Sequence, residues 1–541
     1  MFRKNRNHGE MGLFGTRSTA NNTRRLILDN HWSNKFYNIV FKNIREEDFL
    51  PIYCANNGRP NFPVNILVGL EVIKELHGLS DIALYENYHF NELFQNAFGI
   101  ENINDRSFTL KTLYNFRASK SEYERETGVD LDQLVFKNLS DDAIKKLGIK
   151  TDIQRTDSVH ISANIKKMSR LTLFHKVLSN LIKEVKKLEI KISDELESII
   201  SIEEDSYYYH LATSLVASKT NDLAEFLYTY IERFKSDERI NKTKAYLDGH
   251  RLLEEQCNIE KSKLKLKEPS EIQSGSLQNP ADSDATYRLK RGESHKGYFA
   301  HAVETCSPDN KVQIITQIDV VKNNVDDAFV LNQNLSELHQ RTNVQVIIND
   351  GGYVSEEVTE TCAKLGITQI ATAIKGRKPS EDQLNSMDFK RNDDGLIDTC
   401  PNGQIPKKQT LSENGTLTAS FDIKICNVCP LKEKCIAYKS DKQSRIQIDK
   451  HREFIDNRKS FQYTLEYESL AKLRPNVEAT MEKLKPKYLM GRTLFRGLAK
   501  VKSRMTLKAI SINFRRVSSF FYTFINLLQI LLRPSRKYQI T

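Results

Sequence analysis

The chain has few of the features that mark membrane and secreted proteins. Its uncharged C-terminal stretch, residues 517–532, is only sixteen residues long and contains Ser, Asn and Gln, whereas a membrane-spanning helix needs about 20 mainly apolar residues. Residues 1–25 carry six Lys or Arg and lack the apolar core of a secretory signal. The eight cysteines stand mostly far apart, which is not typical of a disulfide framework. We therefore predict a cytoplasmic protein with reduced thiols and no membrane partner.

Acidic residues are missing from one long segment. Between Lys483 and Thr541 there is no Asp or Glu, against fourteen Lys or Arg, and the whole chain of 541 residues has a formal net charge of +11. Such an asymmetry favours a polyanionic partner, either nucleic acid or an anionic surface. The length allows two or more domains with substantial cores.

Residues 1–149 are predicted to form a helical N-terminal domain. Apolar residues recur there at helical spacing, and capping residues separate the segments. The predicted capping residues are Pro63, Gly78, Ser80, and Ser107 or Thr109. The last helix carries Lys111 and Arg117, which suits a DNA-binding domain, although a plain helical bundle with a solvated polar face fits the pattern equally well.

From residue 150 onward, strand patterns alternate with helices. The predicted strands are residues 153–159, 298–303, 312–318, 344–349 and 367–374. Helices are expected to begin near Asp326 and Ser355, and a long helical stretch at about 163–280 separates the first strand from the others. This stretch fits a helical hairpin insertion or ordinary amphipathic packing helices. The order predicts an α/β fold interrupted by a helical insertion.

Two isolated carboxylates are associated with these strands. Asp157 interrupts the first strand, and Asp350 ends a later one just before Gly351 and Gly352, a pair that lets the backbone turn sharply. Strand ends of α/β sheets commonly present ligand groups. Carboxylate oxygens are the ligands that Mg²⁺ prefers. For either Asp alone, a helix cap is an equally good interpretation.

A third carboxylate, Glu478, stands between two bases. Arg474 precedes it by four residues and Lys485 follows it by seven, so a continuous helix would place all three on one face. Alone, this arrangement is typical of a surface ion-pair ladder. Together with Asp157 and Asp350, it indicates a two-metal site for phosphoryl transfer, in which two ions about 4 Å apart act on one phosphodiester.

These pieces resemble the DDE transposases of bacterial insertion sequences, in the branch that has an RNase H-like core and an InsH-type helical N-terminal domain. The motifs that carry the resemblance are spread over much of the chain. They are Gly58-Arg59-Pro60, His77-Gly78-Leu79-Ser80-Asp81, Thr156-Asp157-Ser158-Val159-His160, Asp282-Ser283-Asp284-Ala285, Lys296-Gly297-Tyr298, Asp350-Gly351-Gly352-Tyr353, and Arg474 with Glu478.

The resemblance implies an activity and its partners. It implies an RNase H-like mixed sheet in residues 150–541, interrupted by the insertion at about 163–280, and an all-α N-terminal domain. Asp157, Asp350 and Glu478 would hold two Mg²⁺ or Mn²⁺ ions, and the enzyme would cleave transposon ends and join them to target DNA. It would act on double-stranded DNA as a homodimer, which places it at the nucleoid. Arg474, Lys485, Arg117 and Lys111 are the candidate DNA contacts, with nonspecific affinity from the basic C-terminal helices at about 470–541.

Some positions leave alternatives open. The family's helix signature has a Tyr three places before the Arg, where this chain has Ala471, and this puts one DNA contact in doubt. Glu482 competes with Glu478 for the third acid, and Asp319, expected at the end of the third strand, competes with Asp350. Two other functions remain possible: a catalytically inactive DNA-binding protein derived from a transposase, and an RNase H-like nuclease that cuts without joining.

Four cysteines form a separate cluster within a predicted insertion at about 378–450. Cys400, Cys426, Cys429 and Cys435 follow a C-x25-C-x2-C-x5-C pattern. Four thiolates can close a tetrahedral structural zinc site and staple a loop-rich segment. Unliganded reduced thiols are the main alternative, and an iron–sulfur cluster is a third.

Overall fold

The chain forms two compact units. The computed structural model describes residues 1–6, 8, 20–54, 58–100, 108–209, 211–260, 263–290, 292–372, 384–413, 415–439, 444–462, 464–486 and 491–531. The first unit comprises Met1–Thr151, Asp157–Val325 and Glu478–Thr541. The second comprises Asp152–Thr156 and Asp326–Val477.

The N-terminal part of the first unit is helical. Its helices are α1 (Asn22–Asn30), α2 (Trp32–Ile39), α3 (Val64–His77), α4 (Asp81–Phe90), α5 (Glu92–Ala97), α6 (Leu110–Thr127) and α7 (Leu131–Leu147). The predicted capping is confirmed for α3 and α4. Gly78 ends α3 with a φ of 68°, and the hydroxyl of Ser80, just before α4, accepts a hydrogen bond from the Ala83 N–H at 3.0 Å. Thr109 precedes α6, whereas Ser107 lies outside the described residues.

The strand β1 (Ile153–Ser162) opens the sheet, and helices interrupt it. They are α8 (Arg170–Lys186), α9 (Asp194–Ile200), α10 (Glu204–Tyr209), α11 (Val216–Arg233), α12 (Glu238–Asn241) and α13 (Lys244–Gln256), followed by the antiparallel pair β2 (Cys257–Glu260) and β3 (Lys263–Leu266). The predicted apolar residues Leu171, Leu178, Leu181 and Val185 are buried in one core shared by these helices, while Leu188 follows the end of α8. The insertion is thus a packed helical body with its own apolar core.

The remaining strands begin with a run of three and then alternate with helices. In chain order they are β4 (Thr286–Lys290), β5 (Glu293–Thr305), β6 (Ile315–Lys322), α14 (Asp327–Thr342), β7 (Val346–Asp350), α15 (Glu356–Leu365) and β8 (Thr368–Thr372). In the first unit, β5 pairs antiparallel with both β4 and β6. In the second unit, the start of β1 pairs in parallel with β7, and β7 pairs in parallel with β8. The strands are therefore mixed in direction and the α/β class is confirmed.

Smaller strands follow in the second unit. They are β9 (Lys390–Arg391), β10 (Ile397–Thr399), β11 (Lys408–Leu411), β12 (Leu417–Phe421), then the helix α16 (Ile423–Asn427), then β13 (Tyr438–Lys439) and β14 (Ser444–Ile448). Four of them form an antiparallel sheet in the order β11-β12-β14-β13. We call this segment, residues 384–448, the cysteine module.

The last helices are α17 (Lys450–Phe461), α18 (Leu465–Ala471), α19 (Glu478–Leu484) and α20 (Leu498–Leu531). In the first unit, α20 packs against β6, α3 and α7, so the C-terminal helix ties the N-terminal helices to the sheet. Within the described ranges, no helix is long and apolar enough to cross a membrane.

Gly297 is required by a close approach of two strands in the first unit. Its φ is +147°, and a Cβ at this position would lie 2.2 Å from the carbonyl oxygen of Ile161 and 2.8 Å from the nitrogen of Ala163. Only glycine fits there, because any side chain would collide with the β1 backbone. The Lys296-Gly297-Tyr298 motif thus keeps β5 next to the strand that carries Asp157.

Candidate active site

Asp157 lies within a strand and not at its end. The strand β1 continues through residues 156–158 to Ser162, so the predicted interruption does not occur. Asp157 is half-buried, and its Oδ1 accepts a hydrogen bond from the Ser158 N–H at 2.8 Å. The carboxylate is therefore carried by a strand and not by a loop.

Asp350 is the last residue of β7, where the sequence predicts it. Its side chain is 38% exposed, and its Oδ1 accepts from the Gly352 N–H at 2.9 Å. Neither Gly351 nor Gly352 has a positive φ, so the sharp turn expected from the glycine pair does not depend on that conformation. Instead, a Cβ on Gly352 would meet Asp350 Oδ1 at 3.1 Å and Asp327 Oδ2 at 3.3 Å. Gly352 therefore leaves room for two carboxylates at this end of the strand.

Arg474 lies beside Asp350 in the second unit. Its Nη2 is 4.0 Å from Asp350 Oδ2, and its side chain is 19% exposed. In the same unit, Arg155 at the start of β1 donates a hydrogen bond to the backbone carbonyl of Leu473 at 2.7 Å. The backbone just before Arg474 is thereby fixed to the strand that leads to Asp157.

Glu478 begins the short helix α19, and the predicted helical stripe is broken. Residues Arg474–Val477 form a 3-10 turn, α19 spans Glu478–Leu484, and Lys485 lies beyond its end. The three side chains therefore do not share one continuous helical face. The predicted stripe is wrong because a 3-10 turn has about 3.0 residues per turn, so a step of four residues from Arg474 does not return to the same face.

The two candidate third acids lie on the exposed side of α19. Glu478 and Glu482 are exposed, whereas Thr480, Met481 and Leu484 are buried. Glu482 pairs with Lys485 at 2.6 Å. The choice of Glu478 over Glu482 stays a prediction.

Sequence reasoning missed the residues that anchor α19 in the first unit. Thr480 donates to Glu304 Oε2 at 2.6 Å, and Arg516 of α20 pairs with the same oxygen at 2.9 Å. Glu304 is fully buried on β5. This buried carboxylate bonds both α19 and α20, so the orientation of Glu478 depends on residues far away in the sequence.

The Asp282-Ser283-Asp284 motif caps the long helix α20. Asp282 Oδ1 accepts from the Gly497 N–H at 3.0 Å and from the Tyr298 hydroxyl at 2.5 Å, and Asp284 Oδ2 accepts from the Leu498 N–H at 2.9 Å. Carboxylates accept hydrogen bonds from the unpaired N–H groups at the start of a helix. Their negative charge also interacts favourably with the positive end of the helix dipole. Burial and the hydrogen bond to Asp282 raise the pKa of Tyr298. This motif therefore positions α20, a role that its sequence did not reveal.

The rival Asp319 lies inside β6 and not at a strand end. It stands opposite His301 of β5, and Gln317 donates to its Oδ2 at 3.0 Å. The expected strand-end position of Asp319 is therefore wrong, since β6 runs on to Lys322.

The candidate DNA contacts differ in accessibility. Lys111 is exposed on α6, and Lys485 is half-exposed. Arg117 is 21% exposed and donates to Glu71 at 2.9 Å and to both oxygens of Asp81 at 2.9 and 2.7 Å. Although burial opposes ionisation, Arg117 and Arg504 keep the pKa of Glu71 below its ordinary value. Arg117 thus joins α3, α4 and α6 within the first unit, and its role in DNA binding stays a prediction.

Replacement of Arg117 is expected to destabilise the protein. Arg117→Leu should lower the free energy of unfolding by about 3 kcal/mol, because it leaves the buried Glu71 with fewer positive partners. Urea unfolding followed by circular dichroism measures this, with the exposed Lys111→Gln as control at no more than about 0.5 kcal/mol. Unchanged stability with weaker DNA binding would assign Arg117 to the DNA instead.

The four cysteines of the cysteine module line one small cavity of about 30 Å³. Cys400, Cys426 and Cys435 also pack against the small apolar core of the module. The Gln404 N–H donates to Cys400 Sγ at 3.4 Å. Thiols fit zinc by their chemistry, and whether they bind it stays a prediction.

The three candidate acids, Asp157, Asp350 and Glu478, are also suited to a divalent ion by their chemistry. Asp157 and Glu478 belong to the first unit and Asp350 to the second. Carboxylates alone make an oxygen donor set typical of Mg²⁺ or Mn²⁺. In the part of the chain that the structure describes, however, no group of three or more His, Cys, Asp or Glu is arranged to hold a metal ion.

Comparison with known proteins adds two family matches. Residues 399–518 match a family model described as a transposase DDE domain, and residues 23–119 match one described as a transposase domain. The first range contains Glu478 and all four cysteines, and the second contains Lys111 and Arg117; Asp157 and Asp350 lie outside both. No curated protein and no solved structure matched the chain. The two matches lie on separate parts of the chain and together cover less than half of it, so residues 399–518 and residues 23–119 are each similar to a transposase domain.

Proposed function

We propose that this chain binds the terminal inverted repeats of an insertion sequence, cleaves the DNA at those ends and joins the ends to target DNA. The observation that carries the proposal is the match to the transposase DDE domain over residues 399–518, which includes Glu478 at the start of α19. The order Asp157, Asp350, Glu478 and the strand-end position of Asp350 support it.

The residues have distinct roles in this proposal. Asp157, Asp350 and Glu478 would hold two Mg²⁺ or Mn²⁺ ions within an RNase H-like core. Bound there, such ions would supply Lewis-acid stabilisation of the oxygens at a phosphodiester. Arg474, 4.0 Å from Asp350, balances the acidic charge and steadies a flanking phosphate together with Lys485. No covalent bond to the protein is needed.

The proposal includes a division of DNA contacts. The N-terminal helices, with Lys111 exposed on α6, bind the ends, and the acid-free C-terminal segment adds affinity that does not depend on sequence. Two ends must be cut together, so the active species is a homodimer on double-stranded DNA.

The test begins with footprinting of the purified full-length protein on the DNA that flanks its own gene. Fragments with the protected ends are then incubated with Mg²⁺, and hydrolysis and joining are scored separately. We expect 3′-hydroxyl ends and strand-transfer products. Protection without cleavage would favour a catalytically inactive binding protein, and cleavage without joining would favour a nuclease; either result would overturn the proposal.

A further inference from the structure

The second unit contains a pocket of about 340 Å³ that is lined by residues of β8, α15, α17 and α18. The described residues that line it include none of the candidate metal ligands, and one of them is charged, Arg458 of α17. Aromatic rings and short polar side chains make up most of the rest. The lining residues are Thr359, Thr368, Gln369, Ala371, Phe454, Arg458, Phe461 and Tyr467. We call this site the Arg458 pocket.

Three neighbouring side chains hold the Arg458 guanidinium in place. Its Nη2 donates to Thr359 Oγ1 at 2.7 Å and to Gln369 Oε1. Gln369 is itself fixed, because its Nε2 donates to the backbone carbonyl of Tyr353 at 3.2 Å. The Phe454 ring lies against the guanidinium, with its centroid 5.1 Å from Arg458 Cζ. The charged group is therefore oriented before any ligand binds.

The guanidinium of Arg458 forms no ion pair with a carboxylate of the described residues. Two acids of its own helix are engaged elsewhere. Glu453 pairs with Arg391, and Asp456 pairs with Arg452 at 2.9 Å. Burial lowers the pKa of Arg458. Because a buried charge without a counter-charge is costly, an anion in the pocket would stabilise the second unit.

The hydrogen-bonding groups of Arg458 are only partly used. Nη2 makes two hydrogen bonds, whereas Nη1 makes none with a described residue, and Nε is buried without a partner among them. The two N–H groups of Nη1 are therefore open to a ligand oxygen. A single guanidinium matches the charge of one carboxylate. A phosphate monoester carries close to two negative charges, and one cation would leave part of that charge unbalanced.

The walls of the pocket are aromatic. The Phe461 and Tyr467 rings meet edge to face, with their centroids 6.0 Å apart and their planes inclined by 79°. Tyr467 is fixed in position, because its hydroxyl donates to the backbone carbonyl of Ala371 at 2.9 Å. Phe454 completes the aromatic lining. Such walls favour a ligand that carries an aromatic ring of its own.

The volume of the pocket restricts the size of the ligand. It lies near the lower end of the range of about 300–1,000 Å³ that is usual for small-molecule sites. A molecule of the size of one aromatic amino acid therefore fits, whereas a double helix does not. The pocket is thus distinct in size and in charge from a surface that binds DNA.

We propose that the Arg458 pocket binds a small aromatic carboxylate, with the carboxylate at Arg458 Nη1 and the ring against Phe461 and Tyr467. The bound carboxylate gives the buried guanidinium the counter-charge that the described residues do not supply. The aromatic walls favour it over carboxylates without a ring. The site goes beyond the proposed function and does not depend on it, since binding requires neither DNA nor a catalytic metal ion.

Isothermal titration calorimetry of the purified full-length protein, without DNA or added divalent metal, tests the proposal with 3-phenylpropanoate as the probe. We expect saturable binding of one molecule per chain. Two further probes each lack one group: 3-phenylpropanamide keeps the ring without the charge, and propanoate keeps the charge without the ring. Each should bind at least about tenfold more weakly than 3-phenylpropanoate, because one loses the charge-assisted hydrogen bonds and the other loses the aromatic contacts.

Variants locate the binding site. Arg458→Gln should weaken binding of 3-phenylpropanoate about ten- to a hundredfold, since the amide keeps a donor but not the charge. Phe461→Leu should weaken it about fivefold and leave propanoate unchanged. The matched control is Arg452→Gln, at an exposed arginine of the same helix outside the pocket, which should change binding by less than about twofold because exposed ion pairs contribute little. Thermal melting shows whether each variant is folded.

Several results would overturn the inference. They are the absence of saturable binding to the folded wild-type protein, equal affinity for 3-phenylpropanamide, and wild-type affinity in Arg458→Gln. Displacement of 3-phenylpropanoate by a lower concentration of inorganic phosphate would make the pocket a phosphate site and would also contradict it. If Arg458→Gln does not fold, the comparison of the acid with its amide on the wild-type protein still decides. DNA cleavage and joining are measured separately, so failure of this inference and failure of the proposed function are distinguishable.

Discussion

Asp350→Asn is expected to reduce DNA cleavage and strand transfer by at least about a thousand-fold. The neutral amide removes one negative charge from the ligands of the proposed ions, and a thousand-fold loss corresponds to about 4 kcal/mol of transition-state stabilisation. Asp157→Asn and Glu478→Gln should give losses of similar size. Binding of the ends, measured by footprinting, should stay within about threefold of wild type, because the substitutions leave the proposed DNA-contacting Lys and Arg residues unchanged.

The same helix offers a matched control. Glu482→Gln changes an exposed carboxylate on α19 that pairs with Lys485, and it should change cleavage by less than about threefold. Asp319→Asn, inside β6, tests the rival second acid in the same way. Full activity in Asp157→Asn or Glu478→Gln would contradict the assignment. A large loss of cleavage in Glu482→Gln, with activity kept in Glu478→Gln, would make Glu482 the third acid in place of Glu478.

The cysteine module is expected to bind one zinc ion per chain. Its apolar core is small and consists of eight buried residues, Phe389, Ile397, Leu417, Ala419, Phe421, Ala437, Ile446 and Ile448. Small modules of this kind usually need a bound metal ion or another stabilising link, such as a disulfide bond, to fold. Structural zinc contributes on the order of 10 kcal/mol of apparent binding free energy. Removing zinc should therefore unfold the module.

Metal content measured by mass spectrometry checks this. Cys429→Ser or Cys435→Ser should reduce zinc from about one ion per chain to almost none, and limited proteolysis should then cut within residues 384–448. Cys54→Ser, at an exposed cysteine outside the module, is the control and should keep the metal. A folded wild-type protein without metal would support reduced thiols, and bound iron would support an iron–sulfur cluster; both results contradict zinc.

Metal content separates a ligand role from a packing role. Three of the four cysteines also contact the apolar core, so replacement by Ser destabilises the module to some extent in either case. Only a ligand, however, changes the zinc stoichiometry of chains that remain folded.

Local features of the fold could be predicted from the sequence. Helix ends at Gly78 and Ser80 follow from the φ preference of glycine and the short reach of a serine hydroxyl, which involve residues within four positions. The strands β7 and β8 were predicted within two residues of their observed bounds because apolar runs of that length encode them directly. The same local pattern placed Asp350 correctly at the end of β7.

Predictions that assumed continuity of an element were less successful. The stripe from Arg474 to Lys485 required one helix, but the chain passes from a 3-10 turn to α19 at Glu478. Asp157 was expected at a break in β1, yet the strand continues from Ile153 to Ser162, because the stability of a strand depends on packing against distant residues as well as on the local sequence. In both cases the backbone setting differs from the one that the local sequence predicts.

The sequence by itself determined the α/β order, the capped N-terminal helices, the spacing of the acids and cysteines, and the acid-free basic segment, since each depends on neighbouring residues or on composition. Only the tertiary structure decided which side chains meet. Arg117 contacts Glu71 from 46 positions away, and Arg504 contacts the same carboxylate from 433 positions away. Gly297 is needed only because β1 lies against it. Such contacts depend on how α3, α6 and α20 pack together, and burial then makes the paired charges strong, so no local pattern encodes them.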